Sequence, residues 1–227
     1  TGASLRFVLE TVLIWIYVLY KKIALPVTSK EWCAGLIVGA LSNGISFGVV
    51  YATSYDIPSG LGAVIFGTMP LWTAMISHFV FHSENLSPVR VFGIFLGILG
   101  IATIFYPQFD KVDSEHLWAM AIMLIAPIVS AISAIITKRS TQAVAPIMLN
   151  AITTAVGCII LGITALTRER WQDLSLNYTH IWTISFLAIV GTIVTFGIYF
   201  RLIKETSAVT MTYVAIITPV IAVLLGW

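Results

Sequence analysis

Uncharged residues run on in this chain for longer than a water-soluble fold tolerates. Seven stretches carry no Asp, Glu, Lys or Arg: 32–55, 57–83, 91–109, 116–137, 140–167, 174–200 and 206–227. Each reaches or exceeds the roughly 19 residues that cross a hydrocarbon core as a helix. An eighth run, 7–20, is interrupted only by Glu10. Backbone polar groups in lipid must be satisfied internally, so only helices or closed barrels span a bilayer. These runs are too long for barrel strands. The expectation is an all-α polytopic membrane protein with eight helices in lipid.

The balance of the chain agrees. Only 10% of its residues are charged, against about 25% in soluble domains. No basic patch interleaved with aromatics is present, which argues against nucleic acid as a partner. The first hydrophobic run begins at Arg6, contains Glu10 and Trp15, and ends at Lys21-Lys22 with no small-residue cleavage site, so it does not read as a signal peptide. Cys33 and Cys158 both fall inside spans and read as small packing residues, not as a disulfide or a zinc site. Loops on one side hold Lys21, Lys22, Lys30, Arg90, Lys138, Arg139, Arg201 and Lys204; the other side holds Arg6, Lys111, Arg168 and Arg170. Eight against four assigns the first set to the cytoplasm.

The chain also repeats itself. FGVVYATSYDIPSGLGAVIFGTMP (47–70) aligns without a gap on FGIYFRLIKETSAVTMTYVAIITP (196–219). Phe47-Gly48 meets Phe196-Gly197 and Pro70 meets Pro219, an offset of 149 residues. The spans register at that offset too, 5–20 on 154–169 and 33–53 on 182–202. Helix 117–137 should have a mate upstream of Thr1, and helix 89–107 one at about 238–256, with an acidic residue near 233 matching Glu84. The complete unit is thus expected to be an inverted repeat of two five-helix bundles, ten helices in all with eight here. Residues 1–109 form the first repeat without its first helix, and 110–227 the second without its last. Five helices per repeat turn the second repeat upside down, an arrangement found in secondary transporters with a midplane site.

Two stretches resemble a known family. AVIFGTMPLWTAMISHFVFHSENLS followed by VFGIFLGILGIATIF is similar to the end of an EamA repeat of the drug/metabolite transporter superfamily. ASLRFVLE resembles the start of that family's second helix, and VAIITPVIAVLLGW its ninth. The resemblance implies ten helices, cytoplasmic termini and movement of small metabolites across a prokaryotic plasma membrane, with no cofactor. Glu10 is not part of the family's general pattern.

Several residues could serve such a function. Pro70 and Pro219 occupy equivalent places, each removing a helical hydrogen bond; they read as paired hinges or as static kinks. Asn43 pairs with Thr192 and Ser46 with Thr195 at the same offset, while Thr68 and Thr218 miss it by one residue. All six lie deep in their spans and, with Trp72 and Tyr213 as aromatic walls, could line a polar cavity; otherwise they bond helix to helix. Glu10 could pair with Arg6 one turn away or carry a coupling proton. Gly93, Gly97 and Gly100 make a small-residue seam for close packing, suited also to a homodimer contact.

His78, His82 and Glu84 raise the one enzymatic alternative, an intramembrane metallohydrolase. A zinc site needs three or four ligands, and no HExxH motif or second Cys/His cluster accompanies the pair. The sequons at Asn85 and Asn177 fall on opposite sides of the membrane. The leading expectation is therefore not an enzyme but a secondary transporter, an exporter or exchanger of small polar metabolites such as amino acids. A channel is its nearest rival.

Overall fold

The computed structural model describes residues 2–83, 87–107, 114–168 and 178–226. Helices account for its regular structure, and no strand occurs among the described residues. The first half runs α1 (Gly2–Tyr20), α2 (Ser29–Gly39), a first π-helical segment (Ala40–Ser46), α3 (Phe47–Thr53), α4 (Ser59–Phe66), α5 (Met69–Phe79) and α6 (Pro88–Ile104). The second runs α7 (Ser114–Met123), α8 (Ile125–Ser140), α9 (Pro146–Arg168), α10 (Tyr178–Ala188), a second π-helical segment (Ile189–Val194), α11 (Thr195–Glu205), α12 (Ala208–Thr212) and α13 (Val214–Gly226).

Six of these helical stretches are long and apolar enough to cross a membrane: 29–53, 59–79, 116–140, 146–166, 181–205 and 208–225. The two other expected spans are helices as well, α1 of 19 residues and α6 of 17. The protein is all-α and multi-pass. Its elements also keep the offset seen in the residues. Ala40 and Ile189 open the π segments, and Ser59 and Ala208 open α4 and α12. Each pair is 149 residues apart.

Local chemistry sets the boundaries. Thr28 caps α2 by accepting from the Glu31 N–H at 3.3 Å, while the Glu31 carboxylate accepts from the Thr28 N–H at 3.2 Å. This reciprocal capping box is a strong helix start. Ser87 accepts from the Arg90 N–H at 3.2 Å, so α6 begins at Pro88; it ends at Ile104, close to the expected 89–107. Pro88 sits in the first turn, where its missing N–H costs nothing.

The three mid-span prolines behave differently. Pro70 lies in the first turn of α5, because the helix has already broken at Gly67-Thr68. Leu124 makes a turn three residues before Pro127 and divides α7 from α8. Pro219 stays inside the continuous α13. A proline cannot bond the carbonyl four residues back; two of the three spans relieve that loss by restarting the helix. Pro70 and Pro219 are equivalent in sequence but not in local geometry.

Contacts divide the chain into two compact units, Thr1–Gly44 with Ile136–Glu205, and Ile45–Ile135 with Thr206–Trp227. Each unit draws helices from both halves of the sequence. In the first, α9 packs against α1, α2 and α11. Its core joins Ile14, Val18 and Val38 to Met148, Leu149, Ile152 and Phe200, and the Trp15 indole N–H donates to Ala151 O at 3.1 Å. A Cβ on Gly39 would lie 2.9 Å from the Thr153 backbone, so glycine sets how closely α2 and α9 approach. In the second unit, one core gathers Ile57, Leu61, Ile65, Ala119 and Met123, and another Ala74, Ile94 and Val209. Of the expected glycine seam, only Gly97 is packed, against Ile216; Gly93 and Gly100 face open space.

Candidate functional site

The sequence-selected polar residues fall into both units. In the first, Asn43 sits in the first π segment, 2% exposed, and its Nδ2 donates to Thr153 O at 2.9 Å. A π-helical turn is wider than an α turn, and such turns concentrate at functional sites. Thr195 follows the second π segment directly. It is exposed, and its hydroxyl donates to Val190 O at 2.8 Å, five residues back along the same widened turn. The side chain of Thr192, Asn43's counterpart, lies outside the described residues, as do Glu84 and the sequon residues Asn85 and Asn177.

Glu10 is also in the first unit. It is fully buried on α1, in line with Phe7, Ile14 and Val18 on the face turned to α9. A carboxylate in the interior of a membrane protein is costly and marks function more often than packing.

In the second unit Ser46 is 3% exposed, 2.7 Å from the Ser130 hydroxyl and donating to Ala126 O at 3.2 Å. The Trp72 indole N–H donates to the Thr68 hydroxyl at 3.2 Å, and that hydroxyl donates to Ile65 O at 2.6 Å. Thr68, released by the helix break, thus orients the indole. Tyr213 packs on the Ala74, Ile94 and Val209 core, while Thr218 is exposed one residue before Pro219. An apolar groove of about 430 Å³ is lined by Leu71, Pro88, Val91, Phe92, Phe95 and Ile98. None of the selected polar residues reaches it, so it is not the expected polar cavity.

The histidine pair is separated by backbone geometry. α5 ends at Phe79, and His82 has a left-handed φ of 48°. The Ser83 N–H bonds back to Ser77 O at 2.9 Å, so the chain turns there instead of continuing as a helix. His78 and His82 do not share a helical face. No group of three or more His, Cys, Asp or Glu that could hold a metal occurs among the described residues.

Residues that no sequence pattern singled out stand beside the selected ones. Asn150, Thr153 and Thr154 of α9 are each at most 1% exposed, and Ser130 receives Ser46. A polar triplet at i, i+3 and i+4 inside a charge-free run was a readable signal of one wet helix face. At the repeat offset the triplet meets Thr1, Ser4 and Leu5.

Comparison with known proteins gives a consistent result. The EamA-like transporter family matches residues 1–106 and 117–227. The chain is 28% identical to the "Uncharacterized inner membrane transporter YedA" of Escherichia coli (strain K12), covering 99% of this chain and 71% of that protein. It is 24% identical to the "Uncharacterized transporter YoaV" of Bacillus subtilis (strain 168), covering 87% and 68%. It is 26% identical to the "WAT1-related protein At3g02690, chloroplastic" of Arabidopsis thaliana, covering 99% and 55%. A solved crystal structure superimposes with a TM-score of 0.82 at 15% identity, over 99% of this chain and 77% of that one, a likeness of fold.

Proposed function

Because the chain belongs to the EamA-like transporter family, we propose that it is a secondary transporter of small polar metabolites, amino acids among them, working in a bacterial plasma membrane by alternating access. The repeats are residues 1–109 and 110–227. The observation that carries this reading is the pair of π segments, Ala40–Ser46 and Ile189–Val194, at equivalent places in two halves of one chain. π-helical turns concentrate at functional sites, and corresponding positions in the two halves of a repeat are where transporters bind their solutes. Asn43, Ser46, Thr192 and Thr195 sit in or beside those segments; Thr68 and Trp72 flank Pro70 along the chain, and Tyr213 and Thr218 precede Pro219. Few charges lie within the spans, which suits a solute without net charge.

Reconstitution of the full-length protein into liposomes tests this. Saturable uptake of a radiolabelled neutral amino acid, accelerated by unlabelled solute on the far side, is the expected result. An ohmic conductance without counterflow would show a channel instead. Glu10 is the proposed proton-coupling group: Glu10→Gln should leave counterflow intact and abolish accumulation driven by a pH gradient. Unchanged gradient-driven accumulation removes Glu10 from that role.

A further inference from the structure

Among the described residues of the first unit two asparagines are buried, and they differ in one respect. Asn43 spends its amide on Thr153 O and lies 3.4 Å from the Ser42 hydroxyl. Asn150 is 0% exposed, and neither its Nδ2 nor its Oδ1 has a hydrogen-bond partner among the described residues. A carboxamide offers two donors and an acceptor, and leaving them unmade in a buried site costs free energy. In lipid, no solvent makes up the difference.

Its neighbours do not relieve it. Asn150, Thr153, Thr154 and Gly157 fall at i, i+3, i+4 and i+7, one face of α9. Thr153 donates to Asn150 O at 3.0 Å and Thr154 to Ala151 O at 3.2 Å, so both hydroxyls are spent on their own helix. A Cβ on Gly157 would meet Asn43 at 2.6 Å and Phe7 at 3.1 Å. The face is therefore closed by the first π segment and by α1. Asn150 is the side chain on it with its hydrogen-bonding capacity unspent. A leucine would fill the same space without that penalty, so a carboxamide here is stabilised only by a group that reaches it in another state.

We propose that Asn150 contacts the transported solute once this face of α9 opens. The assignment rests on the transporter reading above and adds a recognition residue to it. Donor and acceptor side by side complement a solute that carries both, the carboxylate and ammonium of a zwitterionic α-amino acid. A purely anionic or cationic solute would use only half of the group.

The test is uptake of radiolabelled L-serine and L-glutamine by the full-length protein in liposomes, with thermal stability measured on the same samples. Asn150→Leu should raise KM about five- to tenfold, the loss of one or two hydrogen bonds. It should also keep or raise the melting temperature, because a buried unmet amide is removed. Asn150→Ser, smaller and still polar, should give an intermediate KM and serves where leucine does not pack. Saturable wild-type uptake with KM unchanged in both variants overturns the assignment and leaves transport standing. A wild type that takes up neither solute, beside a sound reconstitution control, overturns the zwitterion transport reading and this assignment with it.

Discussion

The two π segments have the same place in their repeats and opposite surroundings. In the first, Asn43 and Ser46 are almost fully buried, and their side chains bond outward, to Thr153 O and to Ser130 and Ala126 O. In the second, Ile189, Val190 and Val194 are 46%, 43% and 47% exposed, and Thr195 bonds inward to Val190 O. The widened turn forms in both. It therefore does not depend on being packed or on a hydrogen bond from another helix. What the stretches share is local: a glycine, Gly44 or Gly191, and hydroxyl side chains that bond the backbone of the preceding turn, Ser42 to Val38 O and Thr195 to Val190 O. Such back-bonding bends helices. The backbone feature belongs to the chain, and the burial belongs to its neighbours.

The sharpest way to break this contrast is at the entrance to each segment, where Gly39 is equivalent to Ala188. Ala188 accommodates its methyl while fully buried, whereas a side chain on Gly39 runs into the Thr153 backbone. Backbone cannot move aside as a side-chain tip can. Gly39→Val should cost about 3 kcal/mol, the upper range for overpacking, and be read as loss of monodisperse protein or a large fall in melting temperature. Ala188→Val should cost clearly less. Equal losses would mean that the two segments are held by similar packing after all.

A smaller effect separates outward from inward bonding. Asn43→Leu removes a bond between helices and should cost about 0.5–1.5 kcal/mol. Thr195→Val removes only a bond within its own helix at an exposed site, and should stay within about 0.5 kcal/mol. Transport should respond in the other order of selectivity: Thr195→Val is expected to slow uptake several-fold at unchanged stability, because it alters the proposed cavity and little else. Paired melting curves and uptake kinetics decide it. A Thr195 variant with native kinetics would return that residue to packing.

What the sequence made legible follows from which signals are one-dimensional. Spans are visible because lipid excludes charge, and the offset of 149 is visible because two halves of one chain place their elements at the same spacing: Ser59 and Ala208 open their helices 149 residues apart. Pro70 and Pro127 announced breaks, but not that the helix would turn two or three residues earlier. The π segments were not legible, since no residue type demands a wider turn. Nor was the fate of Asn43, which depends on a carbonyl 110 residues away. His78 and His82 looked like neighbours only while the helix was assumed to continue; a left-handed residue at His82 decided otherwise. Asn150 stayed hidden for a different reason. Its burial and its unmet amide are properties of three packed elements, and comparison of the halves pairs it with the very first residue.

The smallest expected effect tests the symmetry itself. Gly48 and Gly197 stand two and three residues past their π segments, at equivalent positions, and a Cβ on either would meet nothing within 4 Å. Glycine inside a helix costs roughly 0.5–1 kcal/mol relative to alanine through backbone entropy. With no clash to offset that gain, Gly48→Ala and Gly197→Ala should each stabilise the protein by a similar amount, and the double variant by their sum, since neither new methyl has a neighbour to share. The melting temperature should rise in both. If one variant gains and the other loses stability, the two backbones differ where the offset equates them, and the contrast between the segments is one of structure and not of surroundings. If both gain stability but uptake falls, the glycines were retained for motion beside the widened turns, and stiffening the chain there opposes the change of state that transport needs.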